Sequence, residues 1–208
     1  MNKITLVFCL LAVSTNNSAQ NNVVSELNSL LRELDTLSAE ITQLIVEPDG
    51  EVLEESQILL HVKRPDGFYW ETISPFPELL VTNGRKLWNY QPDLEQVVIE
   101  DWDPSQSELA AQLLYGQTES LAEDYYVVVV NSEQAQTFEL RPKSADSLYE
   151  VITISFIRDI LDRIYIQNNN GERTAWQFTN SRINLPLADD LFEFTPPSGI
   201  EVVNNSIN

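Results

Sequence analysis

The sequence predicts a mainly β (α+β) domain, a meander of about eleven short strands behind one leading helix. Three observations carry that expectation. Apolar residues repeat at helical spacing near the start, at Val24, Leu27, Leu31, Leu34, Leu37 and Ile41, with Glu26, Arg32, Glu33 and Asp35 turned the other way. Beyond about Ser38 the chain becomes short runs rich in Val, Ile, Thr, Tyr, Phe and Trp, separated by turn signals. No internal repeat or low-complexity linker divides the 208 residues, which suit one domain with a sizeable core.

The first residues, "MNKITLVFCLLAVSTNNSAQNN", have a short basic start, an apolar run from Ile4 to Val13 and a small-polar end. That run is too short to span a bilayer comfortably, so residues 1–19 are expected to be a cleaved secretory signal and residues 20–208 the single mature domain. The one cysteine, Cys9, lies inside the apolar run, and the preceding "LVF" lacks the small residues of a lipoprotein-processing site. The mature chain is then without thiol, disulfide or sulfur ligand, which fits a freely soluble protein of a bacterial periplasm.

In the next strand Ile58, Leu60 and Val62 share one face, with Gln57, His61 and Lys63 on the other. A "PDG" turn leads to Phe68 and Trp70, and a turn at Asn83 and Gly84 leads to a strand carrying Trp88 and Tyr90. Further strands are expected at "QVVIE", "DYYVVVV", "TFELRP", "YEVITISFI", "DRIYIQN" and "RTAWQFT", the last two joined by "NNNG". Between them "DPSQSELAAQLLYG" reads as a helix, with Asp103 as N-cap, Pro104 at its first helical position and Gly116 as its stop. A short helical turn is expected in "LPLADDLFEFTPP", ahead of Phe192 and Phe194.

A sheet of this size has two faces, and one helix with two short helical segments can cover only part of them. If the sheet curls into an incomplete barrel, the helices plug its concave side over an apolar pocket. Alternatively, the leucines and aromatics simply fill a closed core.

Chemistry leaves little trace. With 12 Lys plus Arg against 32 Asp plus Glu and a formal charge of −20, the chain repels polyanions, so nucleic acid is not expected as a partner. His61 has no Gly-x-Ser-x-Gly elbow or second histidine beside it, and six glycines supply no phosphate loop. Asp101, Asp103 and Glu108 lack the spacing of a calcium loop, and no carboxylate pair stands out among the acids. No catalytic residue, metal or cofactor is expected.

The segment "HVKRPDGFYWETISP" packs a basic pair, a turn and large aromatics together in this acidic chain. Together with "LDTLSAEITQ", "ELLVTNGRKLWNYQPDLEQV" and "FEFTPPSGIEV", in that order, it resembles the outer-membrane lipoprotein carrier proteins, the LolA family. One departure is the absence of a glycine in "EESQILLHVKRP". The resemblance implies an unclosed, strongly curved antiparallel β-barrel with a helical lid over a hydrophobic cavity. It implies a periplasmic chaperone that takes the acyl chains of lipoproteins released by an ATP-driven inner-membrane transporter and delivers them to an outer-membrane receptor. Arg64 takes the position of the lid latch. Phe68, Trp70, Leu80, Trp88, Tyr90, Leu109 and Leu113 become the candidates for lining or supporting the cavity. A monomer is expected. The rival readings are the receptor itself, disfavoured by the missing lipid-anchor cysteine, a sensor domain of the same fold, and a hydrolase.

Overall fold

The computed structural model describes residues 15–103, 109–116, 118 and 120–206, except for the side chains of residues 15–19, 109 and 110. Residues 1–14 of the expected leader and residues 104–108 of the second expected helix lie outside the described residues.

Helix α1 covers Thr15–Arg32, shorter at its C-terminal end than its apolar spacing predicts. Strand β1 begins at Thr36, so Leu37 and Ile41 belong to the sheet. Residues four apart share a face in a helix and in a strand alike, so those leucines satisfied both periods. Burial separates them: Leu37, Ala39 and Ile41 are all buried, which is the alternation of a strand.

The remaining strands are β2 Val52–Lys63, β3 Gly67–Ser74, β4 Glu78–Asn83, β5 Lys86–Gln91, β6 Gln96–Asp101, β7 Tyr125–Asn131, β8 Ala135–Pro142, β9 Tyr149–Ile157, β10 Ile160–Asn168, β11 Arg173–Ile183 and β12 Glu201–Asn204. Between β6 and β7 lie α2 Leu109–Leu114 and α3 Leu121–Asp124. The expected turn near the C-terminus is a 3-10 turn over Asp189–Phe192, and its buried Phe192 fills the space beside Gly67 that a Cβ would occupy.

All twelve strands form one sheet in the order β12-β6-β5-β4-β3-β2-β1-β11-β10-β9-β8-β7. Pairing is antiparallel except between β12 and β6. This short parallel strand adds to the expected meander of about eleven. β1 joins the halves of the chain, pairing with β2 on one side and β11 on the other. The sheet ends at β7 and β12, so it curls without closing. Register shifts at Ser38/Glu40, Ile45/Val46, Gln57/Ile58 and Leu161/Arg163 accompany the curl, because an extra residue on one strand of a pair increases local bend and twist.

The inner face carries the main core. Ile58, Leu60 and Val62 belong to one buried cluster with Phe138, Ile152, Ile154 and Phe156 of the far strands and with Val24, Leu27 and Leu31 of α1. At roughly 2 kcal/mol for each buried aliphatic side chain, those three residues hold α1 to the sheet by about 6 kcal/mol. On the outer face a second cluster gathers Val81, Trp88 and Val97, with Phe194 and Ile200 from the C-terminal segment packed on it.

Candidate functional site

Alternation along three neighbouring strands builds the site. Leu60 pairs with Trp70 and Trp70 with Leu80, while Val62 pairs with Phe68 and Phe68 with Thr82. Side chains two apart face the same way, so Phe68, Trp70 and Leu80 stand together on the inner face. The Phe68 and Trp70 rings lie nearly parallel with centroids 6.1 Å apart. These three residues line a cavity of about 570 Å³, to which Leu87, Ala111 of α2 and Trp176 also contribute. That volume falls within the range of small-molecule pockets, roughly 300–1,000 Å³.

The cavity is apolar at its wall and acidic at its border. Glu54, Glu78, Glu100, Asp101 and Asp103 stand around it. Glu78 accepts a hydrogen bond from Gln91 Nε2 at 3.1 Å, and Glu54 accepts one from the Ser56 hydroxyl.

The C-terminus of α2 is fixed to the sheet at two points. Arg64, just past the end of β2, donates from Nη2 and Nε to the Leu114 carbonyl at 2.9 and 3.3 Å. A helix leaves its last carbonyls without intrahelical donors, which is why a cation fits there. Burial lowers the pKa of Arg64 from its ordinary value, opposed by the Asp35 carboxylate, and the guanidinium stays charged. The second point is Tyr115, whose ring stacks on Phe68 at 5.3 Å and tilts against Trp102 at 5.5 Å. Its hydroxyl has no protein partner among the described residues, and burial, with Asp66 nearby, raises its pKa.

Gly116 has a second role beside stopping α2. Its φ is +76° and its N–H donates to the Leu113 carbonyl at 2.9 Å, as a helix stop requires. A Cβ there would also lie 2.7 Å from Cζ of Arg64. A side chain at position 116 would therefore press on the guanidinium where it bonds the Leu114 carbonyl.

Other expected residues fall elsewhere. Trp88 and Tyr90 do not line the cavity: they alternate with Leu87 and so face outward, where Tyr90 meets Phe194 at 5.4 Å. Leu113 is fully buried in the inner core with Leu114, holding α2 down instead of bordering the cavity. The Leu109 side chain lies outside the described residues. Tyr115, Trp102, Leu87 and Trp176 are additions that the sequence reading missed. "YG" at a helix end was legible as a stop, but nothing local marked the tyrosine as a contact for Phe68.

His61 is half-buried on the outer face, away from the cavity. Its Nδ1 lies 2.8 Å from Ser38 Oγ because the two residues are direct partners across β1 and β2. Its ring sits 5.5 Å from that of Tyr69, whose hydroxyl donates to Glu71 at 2.7 Å. Burial lowers the histidine pKa, and the Glu71 charge acts the other way. Ser38 lies within β1 beside the register shift at Ser38/Glu40, and it is not one of the residues with a positive φ. Among the described residues no group of three or more His, Cys, Asp or Glu side chains is placed to hold a metal ion.

Comparisons with known proteins bear on this arrangement. The family model of the outer membrane lipoprotein carrier protein LolA matches residues 32–195. The outer-membrane lipoprotein carrier protein of Hahella chejuensis is 35% identical over 185 residues, covering 88% of each chain. Its counterpart from Chromohalobacter salexigens is 32% identical over 193 residues, 93% of this chain and 92% of that one. Among solved structures, an uncharacterized conserved protein from Thermus thermophilus shares the fold with a TM-score of 0.59 at 14% identity, over 90% of this chain and 99% of that one.

Proposed function

The chain belongs to the outer-membrane lipoprotein carrier family, a family of carriers and not of enzymes, and from that premise we propose that it shuttles lipoproteins through the periplasm with their acyl chains in the cavity beneath α2. The observation that carries this reading is the joint placement of Phe68, Trp70 and Leu80 on an apolar cavity wall, with Arg64 bonded to the Leu114 carbonyl of the helix above.

The physical need is plain. At about 0.8 kcal/mol per CH2 removed from water, a chain of ~16 carbons is worth on the order of 13 kcal/mol, so a lipidated protein does not diffuse freely through an aqueous compartment. A carrier must bury such a chain and still give it up. Closure of α2 rests on Leu113 and Leu114, roughly 4 kcal/mol of apolar burial, plus the Arg64 bonds and the Tyr115 stack. One acyl chain outweighs that, so cargo can displace the lid. The closed lid in turn offsets part of the cargo affinity and makes release possible. Arg64 acts as the latch, because its charged hydrogen bonds to Leu114 exist only while α2 is down.

The chain has no nucleotide-binding motif, so loading needs an outside source of energy. An ATP-driven transporter of the inner membrane fills that role, and an outer-membrane receptor takes the cargo. The apolar run from Ile4 to Val13 supports export, with residues 1–19 as a cleaved signal.

The test is fluorescence of an environment-sensitive apolar probe added to the purified mature protein, followed by displacement with a triacylated lipopeptide. Saturable binding with full competition is expected. A folded protein that binds no probe would have a closed core, and the carrier reading would be lost.

A further inference from the structure

The sheet stops at β7, and the free side of that strand is unprotected. β7 pairs with β8 alone, from Tyr125 opposite Pro142 to Asn131 opposite Gln136, with no shift of register. Its sequence, "YYVVVVN", holds no charge and no proline. Edge strands ordinarily carry a charge, a proline or a bulge, because a bare edge is a template for another strand.

Hydrogen bonds at the two ends of β7 fix which backbone groups face outward. The Asp124 carbonyl accepts from the Lys143 N–H at 2.8 Å, and the Ser132 N–H donates to the Ala135 carbonyl at 2.8 Å. Bonded pairs alternate along an antiparallel ladder, so Tyr126, Val128 and Val130 are the residues that exchange bonds with β8. Tyr125 turns away from β8: its N–H donates to the Leu121 carbonyl and its own carbonyl accepts from Gln20 Nε2 at 2.9 Å. Val127, Val129 and Asn131 follow the same phase and aim N–H and C=O at the open edge, where none of the described residues bonds to them.

The outer face of this strand is apolar. Tyr126, Val128 and Val130 are 59%, 54% and 64% exposed, a contiguous row of the kind that marks an interaction surface. Val127 is buried in the inner core with Val129 packed on it, and α1 lies on that inner side, where Glu26 accepts from Gln136 Nε2 at 2.8 Å.

Charge selects the occupant. A second copy would bring another −20, and antiparallel pairing centred on Val128 would set Glu123 of one protomer opposite the partner's Glu133. Like charges placed directly opposite destabilise a sheet. Basic residues at those two places reverse the sign. The cations already near the strand are engaged: Arg141 with Glu139 at 2.7 Å, and Lys143 with the Ala122 carbonyl at 2.7 Å and over the Tyr126 ring.

We infer that the free edge of β7 takes, by antiparallel strand addition, an extended segment of a partner protein that carries β-branched residues opposite Tyr126, Val128 and Val130 and basic residues opposite Glu123 and Glu133. Main-chain bonds to Val127, Val129 and Asn131 supply the affinity, and the alternate side chains with the charged ends supply the selectivity. β7 does not line the cavity of the carrier reading, so this partner and a cargo can be held together.

The experiment titrates the full mature protein by calorimetry with an end-blocked synthetic peptide, Lys-Ser-Thr-Val-Thr-Val-Thr-Val-Thr-Lys-Lys, and with the same peptide N-methylated at its threonines. Saturable one-to-one binding is expected, with the methylated peptide weaker by about tenfold or more because it cannot donate to the edge. Val128→Lys repels the basic peptide, and Val129→Pro removes an N–H that faces the open edge and leaves the ladder to β8 intact. Each should weaken the unmodified peptide by about tenfold or more. Circular dichroism checks the fold, and if Val129→Pro does not fold, Val128→Lys decides alone. No saturable binding, equal binding of the methylated peptide, or unchanged affinity in the folded variants overturns the proposal. So does sedimentation of the protein alone as a dimer that Val128→Lys dissociates, which would assign the edge to a second copy.

Discussion

The guanidinium of Arg64 donates to the backbone carbonyl of Leu114 at 2.9 Å, joining the end of β2 to the end of α2 across 50 positions of sequence. That bond reaches backbone, so no change at position 114 other than to the helix itself removes it. It therefore tests the lid from one side only, through Arg64.

Replacing Arg64 by leucine should leave the sheet folded, because none of the core contacts depends on the charge. A hydrogen bond to a charged group contributes roughly 1.5–3 kcal/mol, and that contribution is lost from the closed lid alone. Since closure competes with cargo, the variant should hold acyl probes roughly ten- to a hundredfold more tightly, about 1.4 kcal/mol being one decade, and release them more slowly. Probe affinity and the rate of transfer to a receptor check this. Normal transfer by Arg64→Leu would remove the latch role.

Tyr115→Phe should act in the opposite direction. The hydroxyl is buried without a protein partner among the described residues, while the ring stacks on Phe68 and tilts against Trp102. Removing an unpaired buried hydroxyl and keeping the ring stabilises the closed lid by about 1 kcal/mol. Probe binding should weaken a few-fold with no loss in melting temperature. Tighter binding would mean that the hydroxyl has a partner in solution that holds the lid.

How far the sequence discloses this arrangement can be judged residue by residue. The face shared by Ile58, Leu60 and Val62 was readable from alternation, as were the turns at Asn83–Gly84 and in "NNNG". Alternation also groups Trp88 with Tyr90, yet cannot say which face of the sheet the pair occupies. Only the neighbours decide that, and here they are Val97 and Phe194 on the outer side. Leu37 and Ile41 match a helix as well as a strand, because a step of four fits both periods. The Arg64–Leu114 bond was approachable only through the resemblance, since nothing within a few residues of Arg64 points to a helix fifty positions away. Tyr115 was missed for the same reason.

Gly116→Ala should reproduce much of the Arg64→Leu effect. Its φ of +76° and the 2.7 Å approach of Cζ leave no room for a methyl group. An alanine in that conformation costs roughly 1–2 kcal/mol, and the guanidinium must also withdraw from the carbonyl. A double-mutant cycle isolates the shared part. Gly116→Ala in the Arg64→Leu background should cost clearly less than in the parent, because the displaced group is already gone. Full additivity in lid opening, read by proteolysis near α2, would show that Gly116 serves the turn alone.

His61 supplies a pH dependence with a defined sign. Burial holds its pKa below 6.5, against the opposing pull of Glu71, so the folded state favours the neutral ring that meets the Ser38 hydroxyl. Above pH 6.5 the ring is neutral in both states and its contribution to stability is complete. As pH falls below 6.5 the unfolded chain binds the proton first, and that contribution declines until the folded pKa is passed. Melting temperature measured from about pH 8 to about pH 5 should therefore drop more for the parent than for His61→Gln, which has no proton to gain. The comparison removes the acidic residues from consideration, since both chains carry the same 32. Parallel curves would mean that the ring titrates alike in the two states, and that its contacts with Ser38 and Tyr69 place no cost on the charged form.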